Sequence, residues 1–440
     1  MKQDKIGYKD VIRNKQYLKM VIASVINRLG DSIDSIAFTW LVYMVTHSAV
    51  WSAIIFGVNR LPTVLLQPLA GAAVERRNKR LILVVTDLIR AVCVGFVATA
   101  YLFHFLNPWI LLTCTIIISC AEAFNRPAAS ALVPKLLDKE HYSFGLSLNS
   151  SATSVAELIG YGVAGIIIST SSIATAIYID MATFLISATI IFTVKVKKEV
   201  SLQVALKIKD YIHELKSGFA YLRTSIILRY FIVFAVFING VLVPLNSLEA
   251  PLIREVLHTG GAMLSVLSLG ISFGMVIGAG IYPYISNRLN SRILACLGGY
   301  SIGIYYFSFA LVGNYIGKDY LKYIVIALVS FIVGFCISLL STFVQVEFVK
   351  HIKEEYMARV YSIMGALSVA AMPVVSFVVS ILAKWLPTIV IFLIAGIFDI
   401  LICIVLCSKK KFNRILTYEA DSNRKEVNNN EEERGDIEAC

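Results

Sequence analysis

At 440 residues, with 58% hydrophobic residues and a mean hydropathy of +0.75, the chain is more apolar than soluble globular proteins, in which about 45–50% is usual. Its net charge of +11 invites a nucleic-acid reading, but Lys and Arg sit mainly in loops and tails around apolar runs, a pattern of membrane topology instead. The eight cysteines lie mostly inside apolar runs, and the six histidines sit in or near loops without metal-ligand spacing. No metal or other cofactor is implied.

In chain order, residues 1–17 are polar and basic and read as a cytoplasmic amino-terminal segment on the inner membrane surface. Six apolar runs follow near 18–46, 49–74, 81–105, 107–131, 142–169 and 173–195, and six more near 227–250, 260–285, 292–315, 321–347, 357–384 and 386–407. Each is long enough for a transmembrane helix, which needs about 20 residues. The expected fold class is an all-α integral membrane protein of twelve helices in two six-helix halves, 18–195 and 227–407.

Residues 196–226 form a basic linker in which Leu202, Leu206, Tyr211, Leu215 and Phe219 interleave with Lys207, Lys209 and Lys216. That is the pattern of an amphipathic helix on anionic lipid. Residues 408–440 are polar and charged and read as a disordered cytoplasmic tail. Of the 40 Lys and Arg residues, only Arg254, Lys318, Lys322 and Lys384 belong to loops after odd-numbered runs. The positive-inside bias puts both termini in the cytoplasm and the protein in the cell (inner or plasma) membrane, multi-pass.

The loop between the second and third runs is the most patterned stretch, with Gly71, Glu75, Arg76, Arg77, Asn78, Lys79 and Arg80. A weaker copy between the eighth and ninth runs sets Asn287, Arg288, Asn290 and Arg292 opposite Glu75, Arg76, Asn78 and Arg80. Two six-helix halves, a basic linker and this repeated hinge resemble the major facilitator superfamily over residues 10–408. That family's loop reads Gly-x-x-x-Asp-Arg-x-Gly-Arg-Arg, with Glu75 here in place of Asp and Asn78 in place of the second Gly.

Further residues are similar to the drug-exporter branch that includes macrolide-efflux and enterobactin-exporter proteins. They are Leu29, Gly30, Asp31 and Trp40 in helix 1, Leu61 and Pro62 in helix 2, and Asp87 and Arg90 in helix 3. Arg126, Pro127 and Pro134 around the end of helix 4, and Asp180 with Phe184 in helix 6, complete the set. Tyr161 stands where exporters usually carry a Pro after Gly160. The resemblance implies a monomeric transporter rather than an enzyme, with a site near the midplane and alternating access between the halves. Gly313, Gly317 and Lys318 superficially follow a phosphate loop, but the spacing is one residue short and the Ser/Thr is missing.

Charged residues inside spans are costly and mark pathways, relays or ion pairs. Arg28, Asp31 and Asp34 recur at spacings of three in helix 1 and share a face, with Arg60 in helix 2 and Glu157 in helix 5 at similar depth. On one reading Arg28–Asp31 and Arg60–Glu157 are neutralising pairs that fix helix packing. On the other, three acids face two arginines, and the leftover carboxylate, Asp34 first and Glu157 second, carries a proton and alternates with cargo. Gly71, Glu75, Arg76 and Arg80, extended by Asp87, Arg90, Arg288 and Arg292, are the expected cytoplasmic gate, with a plain topogenic loop as the alternative. Phe38, Trp40, Tyr43 and Asn239 are candidate cargo contacts or core residues, and the Gly-rich stretch Gly270–Gly280 in helix 8 allows close helix approach.

The resulting expectation is proton-coupled efflux of a moderately hydrophobic small molecule: a macrolide-like drug, a siderophore or a peptide. Its partners are that substrate, protons and the lipid bilayer, and no nucleic acid. An importer or lipid flippase on the same fold, and a non-transporting sensor or immunity protein, are the alternatives.

Overall fold

A computed structural model describes residues 8–75, 77–196, 220, 222–223, 225–286, 288–289, 291–350, 352 and 357–406. Side chains of several residues within those helices, Gly71, Glu75 and Arg359 among them, are not described. Arg76, most of the linker and the tail likewise lie outside the described residues.

After a short helix at Tyr8–Arg13 come the helices α1 (Lys15–Thr46), α2 (Ala49–Glu75), α3 (Lys79–Leu102), α4 (Pro108–Leu136), α5 (Tyr142–Thr170) and α6 (Ile173–Phe192). The second half opens with α7, built of three consecutive segments, Ile226–Val241, Val243–Pro251 and the π turn Leu252–Val256. It continues through α8 (Ala262–Ser286), α9 (Ser291–Tyr315), α10 (Asp319–Lys350), α11 (Met357–Leu382) and α12 (Thr388–Leu406). Eleven of these spans are long and apolar enough to cross a membrane by themselves. The exception, α1, has 32 residues but carries Arg28, Asp31 and Asp34 near its middle.

Local sequence sets the helix starts. Asn14, Asn78, Asn107, Ser172 and Ser225 each accept a hydrogen bond from a first-turn N–H with their side chain, satisfying donors the helix leaves free. His47, at φ 46°, ends α1 in the left-handed region and lets the chain turn into α2 within two residues. The run read as ending at residue 250 continues in the structure to Val256. Leu248 leaves helical geometry at φ −117° and ψ 19°, and Pro251 has no N–H to offer the preceding turn, so the chain changes path without leaving the membrane layer.

Within the first half α1 lies against α5 and α6, α3 against α4 and α6, and α2 against α4. In the second, α10 packs on α8 and α9, while α9 packs on α12 and α7 on α11. The α8–α10 seam is tight because of glycine. A Cβ on Gly274 would strike the backbone of Phe331 and Phe335, and one on Gly334 the backbone of Ile271. Small residues give this closeness where lipid supplies no hydrophobic drive between helices.

The halves join mainly through α2–α11 and α5–α8. Ser376 on α11 donates to the Ala53 carbonyl on α2 at 2.6 Å, beside Gly57. Gly165 on α5 faces Ser265 on α8, and Gly261 lies against the ring of Trp40. All these residues sit toward the helix ends remote from the chain termini.

Candidate functional site

Arg28 and Asp31 of α1 are partnered by rotation of their neighbours rather than by sequence proximity. Arg28 pairs with Glu157 on α5, Nη2 to Oε2 at 2.6 Å, and Tyr161 donates its hydroxyl to the other carboxylate oxygen at 3.1 Å. Asp31 pairs with Arg90 on α3 at 2.5 Å. The expected pairs Arg28–Asp31 and Arg60–Glu157 therefore do not form. Three residues apart on one helix, Arg28 and Asp31 point to different neighbours, α5 and α3. Arg60 instead lies over the Phe56 ring at 5.4 Å, and its Nε is buried without a hydrogen-bond partner among the described residues. Its electrostatic neighbours are Glu122 and Arg126 on α4, themselves paired at 2.7 Å.

Arg90 is thus part of the mid-membrane cluster and not of the hinge loop. Its guanidinium stacks at 4.0 Å on Phe184 of α6 and is surrounded by Asp31, Asp87, Asp180 and Glu122. Asp34 and Asp180 share these surroundings with Asp31. Asp180 is held by the Thr183 hydroxyl, and Asp34 has its Oδ1 buried with no partner among the described residues. The cluster holds more carboxylates than cations, and Asp34 carries the unpaired oxygen.

Asp87, one turn before Arg90, is almost fully buried and is an internal hub. It accepts from Asn27 on α1 at 3.2 Å, Asn125 on α4 at 3.1 Å and Ser187 on α6 at 2.8 Å. Asn27, Asn125 and Ser187 escape a reading that follows charge alone; polar residues on otherwise apolar helix faces were the available signal. In the hinge, Arg80 donates to the Val194 carbonyl beyond α6 at 3.0 Å and lies over Phe192. It ties the α2–α3 loop to the end of the first half. Arg292 is half-buried and Arg288 exposed. The expected contacts of Glu75 and Arg76 lie outside the described residues.

The candidate cargo residues separate. Trp40 and Tyr43 are buried at 7% and 6% exposure. Tyr43 donates to Glu255 at 2.8 Å, and Thr388 of α12 donates to the same carboxylate at 2.5 Å. Tyr43, Glu255 and Thr388 join α1 to α7 and α12 across the two halves. Phe38 packs partly buried against the core, and Asn239 lines a cavity in the second half. Glu249, the single acid in the sequence run 227–250, also lies half-buried in α7; the sequence reading passed over it, although any carboxylate inside a span merits notice.

A family model described as transmembrane secretion effector matches residues 10–435. The chain is a major facilitator superfamily protein of that family. This transporter is 25% identical over 315 residues to macrolide efflux protein A of Enterococcus faecalis, covering 71% of this chain and 95% of that one. Its fold is similar to that of the nucleoside transporter NupG, with a TM-score of 0.71 at 10% identity over 89% of this chain and 98% of that one. A bacterial homologue of the iron transporter ferroportin gives a TM-score of 0.68 at 14% identity over 90% and 99%. The transporter is a multi-pass membrane protein whose family and relatives move small molecules.

Proposed function

We propose that this transporter exports a moderately hydrophobic small molecule in exchange for protons entering the cell. Asp34 carries the reading: a carboxylate near the middle of α1 whose Oδ1 is buried without a partner among the described residues, beside Asp31, Asp180 and the guanidinium of Arg90. A proton meets that excess of carboxylate, and its arrival and departure change the charge that α1, α3 and α6 must accommodate. One proton moving down about 100 mV supplies about 2.3 kcal/mol, enough for an about fifty-fold cargo gradient.

The positive-inside distribution of Lys and Arg makes the joined ends of the halves extracellular. On that orientation the conformation is closed outside, and the Tyr43–Glu255–Thr388 cluster is an outer latch that parts when the halves rock. The efflux name of the relative in Enterococcus faecalis supports the outward direction.

The test is efflux of an uncharged amphiphile, tritiated chloramphenicol, and of a fluorescent hydrophobic cation from cells expressing wild type or Asp34→Asn, with protein levels matched. Wild-type extrusion should collapse on adding an uncoupler, and Asp34→Asn should only equilibrate the substrate. Full extrusion by Asp34→Asn, or extrusion indifferent to uncoupler, would overturn the proton assignment; net accumulation by wild type would reverse the direction.

A further inference from the structure

The second half contains a cavity of about 280 Å³, just below the usual range of about 300–1,000 Å³ for small-molecule sites. All its lining residues belong to α7, α10 and α11, and none is charged. They lie toward the ends of these helices nearest the termini, away from the seam where Ser376 meets Ala53. Most of the wall is aliphatic or aromatic, and four neutral polar residues interrupt it: Asn239, Ser341, Gln345 and Ser368.

Two of these are already engaged with backbone. Asn239 donates to the Ala235 carbonyl at 2.9 Å and Ser341 to the Ser338 carbonyl at 3.2 Å. Asn239 keeps its side-chain carbonyl as an acceptor. Ser368 is different. It is only 9% exposed, and its Oγ is buried without a hydrogen-bond partner among the described residues. That hydroxyl is shielded from the cavity as it stands, so a ligand group meets it only on rotation about the Ser368 χ1. One turn before Ser368 on the same helix, Gly365 leaves room: a Cβ built there meets nothing within 4 Å.

We infer that this cavity is the cargo site and that it takes an uncharged amphiphile, apolar in body, whose hydroxyl, ether or carbonyl groups pair with Ser368, Asn239 and Gln345. A cation or anion would be desolvated against a wall that has no counter-charge. The inference rests on the export reading above and changes its mechanism. Cargo binds on α7, α10 and α11, while the proton binds on α1, so the two do not compete for one carboxylate. Coupling then passes through the relative position of the halves, each ligand shifting the same conformational equilibrium.

The experiment is equilibrium binding to the purified full-length protein in lipid nanodiscs. The probes are two uncharged amphiphiles, tritiated chloramphenicol and a tritiated steroid alcohol, and one cation, tetraphenylphosphonium. The expected result is saturable binding of at least one uncharged probe, without displacement by the cation. Ser368→Ala should weaken it about five- to tenfold, the size of one lost hydrogen bond. Gly365→Phe, which fills open space rather than displacing a neighbour, should abolish it, and Asp34→Asn, which acts only through the shared conformational equilibrium, should shift the affinity but keep binding saturable. Wild-type affinity in Gly365→Phe, loss of uncharged binding in Asp34→Asn, or binding of the cation alone or of no probe would each overturn the assignment. If uncharged binding behaves as expected but cells show no uncoupler-sensitive efflux, the cavity assignment stands and the proton-driven export reading fails.

Discussion

Arg90 shows how much one side chain can hold in an apolar interior. Its side chain is 10% exposed, ion-paired to Asp31 and stacked on Phe184. Removing one partner of a buried pair leaves the other charge uncompensated, typically at a cost of about 3–5 kcal/mol, whereas replacing both can be nearly neutral. Arg90→Met should therefore lower the thermal stability of the purified protein sharply, and Asp31→Asn with Arg90→Met should recover most of it. If the double variant melts no higher than Arg90→Met, the pair is not what stabilises this cluster. The residues of this cluster were legible in the sequence as costly intramembrane charges, but their pairing was not. Partner choice depends on how α1, α3 and α5 are rotated against one another, and a spacing of three on one helix says nothing about its neighbours' rotation.

At the scale of elements, hydropathy and loop signals fixed where helices begin and end to within a few residues, because lipid demands long apolar runs with internally satisfied backbones. The break in α7 was harder to see. Its first part has ordinary helical composition, and the departure at Leu248 followed by a π turn arises where Pro251 meets packing against α2 and α12. The glycines of α8 were readable as a close-approach face, and the structure identifies its partner as α10. Gly334→Leu should prevent that approach and sharply reduce the yield of monodisperse protein, while Gly280→Leu, where a Cβ meets nothing within 4 Å, should be tolerated. Equal yields on size-exclusion chromatography would show that the seam can yield to a side chain.

Across the whole molecule, the contacts between the halves cluster at one end of the bundle among the described residues. The Tyr43 hydroxyl belongs to one half and the Glu255 carboxylate it meets to the other. Hydrogen bonds to a charged group contribute about 1.5–3 kcal/mol, so Tyr43→Phe should move the balance toward the conformation open at that end by about ten- to a hundredfold. Hydrogen exchange over residues 252–259 reads this directly: faster exchange in Tyr43→Phe is expected, and an unchanged rate would remove the latch from the mechanism. Two six-helix halves were legible from the repeated hinge and the basic linker. The end at which they meet was not, since it depends on small residues such as Gly57, Gly165 and Gly261 whose partners lie in the other half of the chain.

The same charges have a consequence for how the chain is made. Synthesised ahead of the other eleven spans, α1 carries Arg28, Asp31 and Asp34 before their partners on α3, α5 and α6 exist, and each central charge opposes insertion by about 2.5–3.5 kcal/mol. The Glu157 that neutralises Arg28 is synthesised 129 residues later. The first helix thus has to wait at the translocon or the membrane surface until α3, α5 and α6 arrive, and the amino-terminal half assembles as a unit rather than helix by helix. A topology reporter fused after Thr46 should show poor insertion of α1 alone and full insertion when residues through Phe192 precede it; efficient insertion of the isolated span would show that it needs no such company.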